Sequence, residues 1–203
     1  LSAPHPPPPA LFFFFLFFVF LFLFLVVVFF GYSDVFMLVG YHARAGSSGN
    51  PLAHTMSSAK IERIVLNGRE ASELLLHGTI ASKYRIPIIF VSGDSIICKE
   101  IESISPRVVT HSTMEGIGDS TISIHPELSI NIIKKKSEAS FKGDLDRCVW
   151  AHPKKFKLII NYMKQADAYK AAQYPNVRLI NSKSVCYEDQ NYENIMRFIL
   201  FCV

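Results

Sequence analysis

Residues 34–94 read DVFMLVGYHARAGSSGNPLAHTMSSAKIERIVLNGREASELLLHGTIASKYRIPIIFVSGD, and the alternation inside this stretch decides the fold. It opens on a short apolar run, 34–39, that stops at Gly40. A second run, 60–66, alternates polar and apolar residues and closes at Asn67-Gly68, a pair suited to a tight hairpin turn. From Glu70 to Tyr84 the residues Ala71, Leu74, Leu75, Gly78 and Ala81 recur at helical spacing. Residues 87–92 (PIIFVS) form a continuous apolar run of strand length that ends in Gly93-Asp94.

The pattern continues outward from this stretch. A helix is predicted over 95–105, stopped by Pro106, and a strand over 107–111. His125-Pro126-Glu127 opens another helix that runs to about Ala139. Strands are predicted at 157–162, 177–180 and 184–187, with helices at 165–173, stopped before Pro175, and at 191–201. Strands alternating with helices predict an α/β domain over residues 31–203, a layered αβα arrangement about a sheet. No internal repeat interrupts it.

The 203 residues, half of them hydrophobic, suffice for one domain with a core, or for a smaller domain plus a membrane segment. The net charge is +4, and the basic residues are scattered apart from Lys134-Lys135-Lys136 and Lys154-Lys155. A nucleic-acid interface gathers such residues on one face with aromatics between them, so no nucleic-acid partner is expected. Cys98, Cys148, Cys186 and Cys202 form no CxxC pair, which predicts reduced, mostly buried thiols and no disulfide framework.

The first thirty residues differ in kind. Residues 1–9 are Pro-rich and read as an extended, disordered lead. Residues 10–30 are almost wholly Phe, Leu and Val, an apolar helix-like segment long enough for the roughly 20 residues that cross a bilayer. No Lys or Arg precedes it, so it lacks the basic region of a signal peptide. It reads either as a transmembrane helix, which implies a membrane location, or as translated T-rich non-coding sequence, which implies a cytoplasmic protein. The absence of the Ala, Gly and interfacial aromatics of natural spans favours the second reading. A start at Leu1 rather than Met is what a fragment or processed product gives.

Four residues can carry chemistry. His42 follows a buried strand, where ligand sites gather in α/β sheets, and imidazole is a natural zinc ligand. His54 lies twelve residues on, across a Gly/Ser loop, placed to act as ligand or proton shuttle. Glu73 stands near the start of the helix after the Asn67-Gly68 turn, where a carboxylate either binds metal or simply complements the helix dipole. Asp94 ends the PIIFVS strand, where Gly-Asp is common turn chemistry. Each residue taken alone reads as structural.

Taken together, FMLVGYHARAGSSGNPLAHTMSS, LNGREASELLLHG and IPIIFVSGD resemble the DppA-type zinc D-aminopeptidases, peptidase family M55, in order, spacing and motif. The resemblance continues more loosely through Met114-Glu115-Gly116-Ile117-Gly118, HPELSINIIKKK and the stretch from Phe156, and so covers residue 32 onward. It implies hydrolysis of the N-terminal residue of short D-amino-acid peptides, two zinc ions bridged by a carboxylate, and a ring-shaped homo-oligomer. It assigns His42 and Glu73 as zinc ligands and His54 as the catalytic residue. The family's remaining ligands come from an N-terminal Asp-x-Glu-Gly strand and an Asn-Asp-Ser-His segment, neither of which occurs in this sequence. Met114-Glu115-Gly116 lacks the Asp and falls too late in the order to replace the first. The resemblance therefore describes the C-terminal part of the family, with an incomplete ligand set. It leads to the expectation of an inactive or nearly inactive chain, poorly soluble where apolar edges stand open. The alternative is a membrane-anchored, non-catalytic relative that serves binding or assembly.

Overall fold

The computed structural model describes residues 34–203, so the Pro-rich lead and the apolar segment at 10–30 lie outside the described residues. Among the described residues no helix is long and apolar enough to cross a membrane.

The α/β class holds, with its strands divided between two sheets. In the first, β1 (Phe36–Tyr41), β4 (Ile88–Asp94) and β5 (Val109–Ile117) run parallel, and β6 (Ser120–Ser123) closes the edge antiparallel, in the order β1-β4-β5-β6. In the second, β3 (Arg69–Glu70), β2 (Ile61–Leu66), β7 (Phe156–Tyr162), β9 (Ser184–Asp189) and β8 (Arg178–Asn181) lie adjacent in that order, all antiparallel. Every residue of β4 is buried, as expected of a parallel strand covered on both faces and of its unbroken apolar run. The turn joining β2 to β3 uses Asn67 and Gly68 at φ +50° and +82°, the left-handed pair that a type I′ hairpin requires.

Helix α1 (Glu73–Lys83) begins three residues later than the periodicity suggests, because Arg69 and Glu70 are drawn into pairing with β2. Ser72 caps it, accepting from the N–H of Leu75. Ten of its eleven residues are buried, which makes it the pillar of the domain. Its one glycine, Gly78, lets Trp150 lie against the helix: a Cβ there would come within 2.1 Å of the indole ring. Helix α2 (Ser95–Ile104) follows β4, and α3 (Pro126–Ser140), α4 (Gln165–Ala171) and α5 (Tyr192–Cys202) complete the chain. The core joins both sheets, with Phe90, Leu74, Leu76, Ile160, Tyr162, Tyr192 and Phe198 among its fully buried side chains.

The hairpin from β5 to β6 departs from the expected short strand over 107–111. β5 runs on through polar residues to Ile117, held by its pairing with β6, and all four β6 residues are exposed. Such a ladder leaves no apolar alternation in the sequence. The four cysteines are free; Cys98, Cys148 and Cys186 are buried, as expected.

Candidate metal centre

β1 and β4 are parallel neighbours, so their carboxyl ends lie side by side, with Tyr41 in register with Gly93. The chain leaves β1 into the loop that carries His42 and His54, and it leaves β4 at Asp94. Asp94 is almost fully buried, and its carboxylate gathers four donors. Oδ2 accepts from Ala43 N at 2.6 Å and Asn50 Nδ2 at 3.1 Å; Oδ1 accepts from Ile96 N at 3.0 Å and Ile97 N at 2.8 Å. One side chain therefore caps α2 and clamps the loop beside His42. This supports a structural role for Asp94 and gives it a purpose that the sequence does not display.

Two more clamps fix the loop. Thr55 Oγ1 accepts from Ala45 N at 3.1 Å and donates to Ala71 O at 2.9 Å, which ties the loop to the approach of α1. Gly49 passes directly over Gly116 of β5: Gly116 N donates to Gly49 O at 3.0 Å, and a Cβ on Gly116 would come within 2.6 Å of that oxygen. The Met114-Glu115-Gly116 segment thus contributes a bare backbone to the loop, and its Glu115 is exposed.

These clamps bring together residues far apart in the chain. The His42 and His54 rings stack with centroids 4.3 Å apart and planes at 23°. Glu73, the first residue of α1, reaches the same place: its Oε1 accepts from Met56 N at 2.9 Å and stands 3.8 Å from His54 Nε2. One ligand atom from each of His42, His54 and Glu73 can be chosen so that all lie within 4.8 Å of one another.

Hydrogen bonding fixes the histidine tautomers. His42 Nδ1 lies 3.0 Å from Ala43 O, and His54 Nδ1 lies 2.8 Å from Leu52 O. A carbonyl oxygen only accepts, so each Nδ1 carries the hydrogen and each neutral ring keeps its lone pair on Nε2. That is the arrangement in which imidazole binds a metal, with a backbone carbonyl orienting the ring from behind. Two such nitrogens and a carboxylate oxygen are a zinc-type donor set, so the residues fit the ion.

Behind Glu73, one turn along α1, His77 is buried and shares a 2.9 Å hydrogen bond with Tyr41 Oη. Burial depresses His77 to about 4, against a smaller opposing pull from Glu73, so it is neutral at pH 7. Burial likewise pushes the Tyr41 phenol far up, and Glu73 adds to this. Nothing in the spacing of Tyr41 and His77 marks them as a pair; only the packing of β1 on α1 does.

The fold and the donor set together describe an α/β protein with two histidines and a carboxylate, able to hold a metal ion, gathered near the carboxyl ends of its parallel strands. The chain belongs to the D-aminopeptidase family, peptidase family M55, whose sequence profile matches residues 30–201. A D-aminopeptidase of Bacillus subtilis (strain 168) is 33% identical over 95 residues, which are 45% of this chain and 34% of that protein. The solved structure of the Zn-dependent D-aminopeptidase DppA from Bacillus subtilis, described as a self-compartmentalizing protease, shares the fold with a TM-score of 0.75. It is 22% identical, and the match covers 83% of this chain and 62% of that one. The chain therefore spans less than two thirds of the length of either relative.

Proposed function

We propose that this chain carries part of the catalytic centre of a zinc D-aminopeptidase that removes the N-terminal residue of short D-amino-acid peptides. The observation that carries the reading is the convergence of His42, His54 and Glu73, with both imidazoles held in the metal-binding tautomer. His42 Nε2 and the Glu73 carboxylate would hold the ion. When bound, zinc polarises the scissile carbonyl and lowers the pKa of a water. His54, with its Nδ1–H committed to Leu52, has Nε2 available to take a proton and return it to the leaving amine. The loop clamped by Asp94, Thr55 and Gly116 keeps that nitrogen near the metal ligands.

Two zinc ions need more donors than the three that converge among the described residues. The 203-residue chain is therefore expected to bind metal weakly and to turn over little D-alanyl-D-alanine. A second reading has a specific observation behind it: the 4.8 Å grouping admits His54 as a third ligand to one ion. By analogy with the self-compartmentalizing relative, we also infer a homo-oligomer. Leu128 and Ile130 on α3, with Ile117 and Ile122 on the hairpin, are apolar side chains left exposed and available for such contacts.

Zinc titration of the chain and three variants tests the centre. His42→Ala and Glu73→Ala should each weaken zinc binding by about 10- to 100-fold, the range for disturbing a metal site. His54→Ala should leave affinity within about threefold, well under one decade or 1.4 kcal/mol, and remove the residual turnover. An affinity loss in His54→Ala equal to the other two would make His54 a ligand. Unchanged zinc binding in His42→Ala and Glu73→Ala would overturn the centre itself.

A further inference from the structure

A recess opens on the other flank of α1. Leu75 and Thr79 line it, two and six positions past Glu73 and so about 200–240° around the helix from the metal centre. Its volume is about 420 Å³, within the range of small-molecule sites. Leu66, Leu75, Ile104 and Trp150 give it apolar walls, and the exposed Arg69 and Arg147 also line it. No aspartate or glutamate is among the described residues that line it.

The two guanidinium groups have exposed partners, and Arg69 also lies near enough to the Glu100 carboxylate to favour its charged form. Arg69 Nη2 donates to Ser103 Oγ at 2.8 Å, and Arg147 Nε pairs with Asp144 at 3.1 Å, with both of those side chains more than half exposed. An exposed pair of this kind contributes little and exchanges readily for another anion. Trp150 is seated by the absence of a side chain at Gly78, and its indole Nε1 is buried with no acceptor among the described residues. Two arginines among apolar and aromatic lining residues select a ligand with an anionic end and an apolar body.

We propose that this recess binds a small amphipathic anion, a carboxylate or sulfonate on a body of aromatic size, at a site separate from His42, His54 and Glu73. The proposal needs neither metal nor turnover, so it stands or falls apart from the peptidase reading.

Trp150 is the only tryptophan of the sequence and forms a wall of the recess, so it reports occupancy directly. The test titrates the metal-free 203-residue chain with 8-anilinonaphthalene-1-sulfonate and reads energy transfer from Trp150 to the dye. Saturable transfer is expected, competed by 3-phenylpropionate and not by 3-phenylpropanol. Arg69→Gln and Arg147→Gln, both at exposed positions and checked by circular dichroism for an unchanged fold, should each weaken binding by about 5- to 10-fold, the loss of one charge-assisted hydrogen bond at a wet site. The uncharged N-phenyl-1-naphthylamine should bind at least about tenfold more weakly. Three results would each overturn the proposal: absence of saturable transfer, equal binding of the uncharged dye, or affinity unchanged in both arginine variants. The last two would mark the dye as reporting exposed apolar surface.

Discussion

Helices α1 and α3 are of similar length and opposite character. α1 buries ten of its eleven residues, whereas α3 buries one of fifteen, Ser140. α1 carries many of the groups that tie this molecule together: Glu73 at the candidate metal centre, His77 on Tyr41, Gly78 under Trp150, and Leu76, whose backbone carbonyl accepts from Tyr192 Oη at 2.9 Å. α3 lies over the first sheet with Leu128 and Ile130 turned to solvent. A helix buried all round is fixed by its own domain. A helix that rests on a sheet and leaves apolar residues exposed on its flanks is free to serve an interface. Mutations should therefore act through stability on α1 and through association on α3.

The largest effect should come from Leu76→Ala. Leu76 has no exposed surface, and deleting a fully buried leucine side chain costs about 2–5 kcal/mol, according to how far the surroundings close in. Urea denaturation measures it. A loss below about 1 kcal/mol would show that α1 is not the pillar the burial describes.

That contrast bears on what the sequence could tell. The α/β class, most element positions and the three residues that converge at the candidate metal centre were legible, because apolar spacing and the GYHA and HTM motifs are local signals. The burial of α1 was not: its apolar residues look like one face of a surface helix, and only Tyr41, Trp150 and α5 show the other faces covered. The division into two sheets was hidden as well, since the pairing of β2 with β7 joins segments on either side of α3. β6 left no trace, because four exposed residues carry no alternation. The clamp by Asp94 was half legible. Its position before α2 marks a helix cap, but its hold on Ala43 and Asn50 depends on β1 and β4 being neighbours.

A pH titration sharpens the contrast from the α1 side. The folded state holds His77 near 4, below the ordinary value of 6.5, so the native protein resists a proton that the unfolded chain accepts. Stability from this source is complete above pH 6.5 and is lost as pH falls toward 4, by roughly 3 kcal/mol in all as an upper figure. Urea midpoints between pH 7 and 4, taken in chelator, should fall along this window. In His77→Gln the slope should flatten by about one proton's worth, roughly 1.4 kcal/mol per pH unit. An identical slope in the variant would place the acid sensitivity elsewhere.

A smaller effect with an informative sign is expected at Gly78. Replacing glycine with alanine inside a helix ordinarily stabilises by up to about 1 kcal/mol. Here the added methyl meets the Trp150 ring at 2.1 Å, and overpacking of that kind costs about 1–3 kcal/mol. Gly78→Ala should therefore destabilise by about 1–2 kcal/mol, with a shift in tryptophan emission as the indole is displaced. Stabilisation with unchanged emission would mean that Trp150 does not rest on α1.

The smallest effect on stability should come from Ile130→Ala on α3, where 65% of the residue is exposed. A substitution at such a position changes folding free energy by no more than about 0.5 kcal/mol. The same change removes apolar area from the surface proposed for self-association, and truncating a central contact can cost an interface about 1 kcal/mol or more at each repeat of it. Sedimentation velocity of the chain and the variant at equal concentration separates the two roles. A shift toward smaller species with an unchanged urea midpoint assigns the face to assembly. A lowered midpoint with unchanged sedimentation would give α3 the same structural role as α1 and remove the contrast between the two helices.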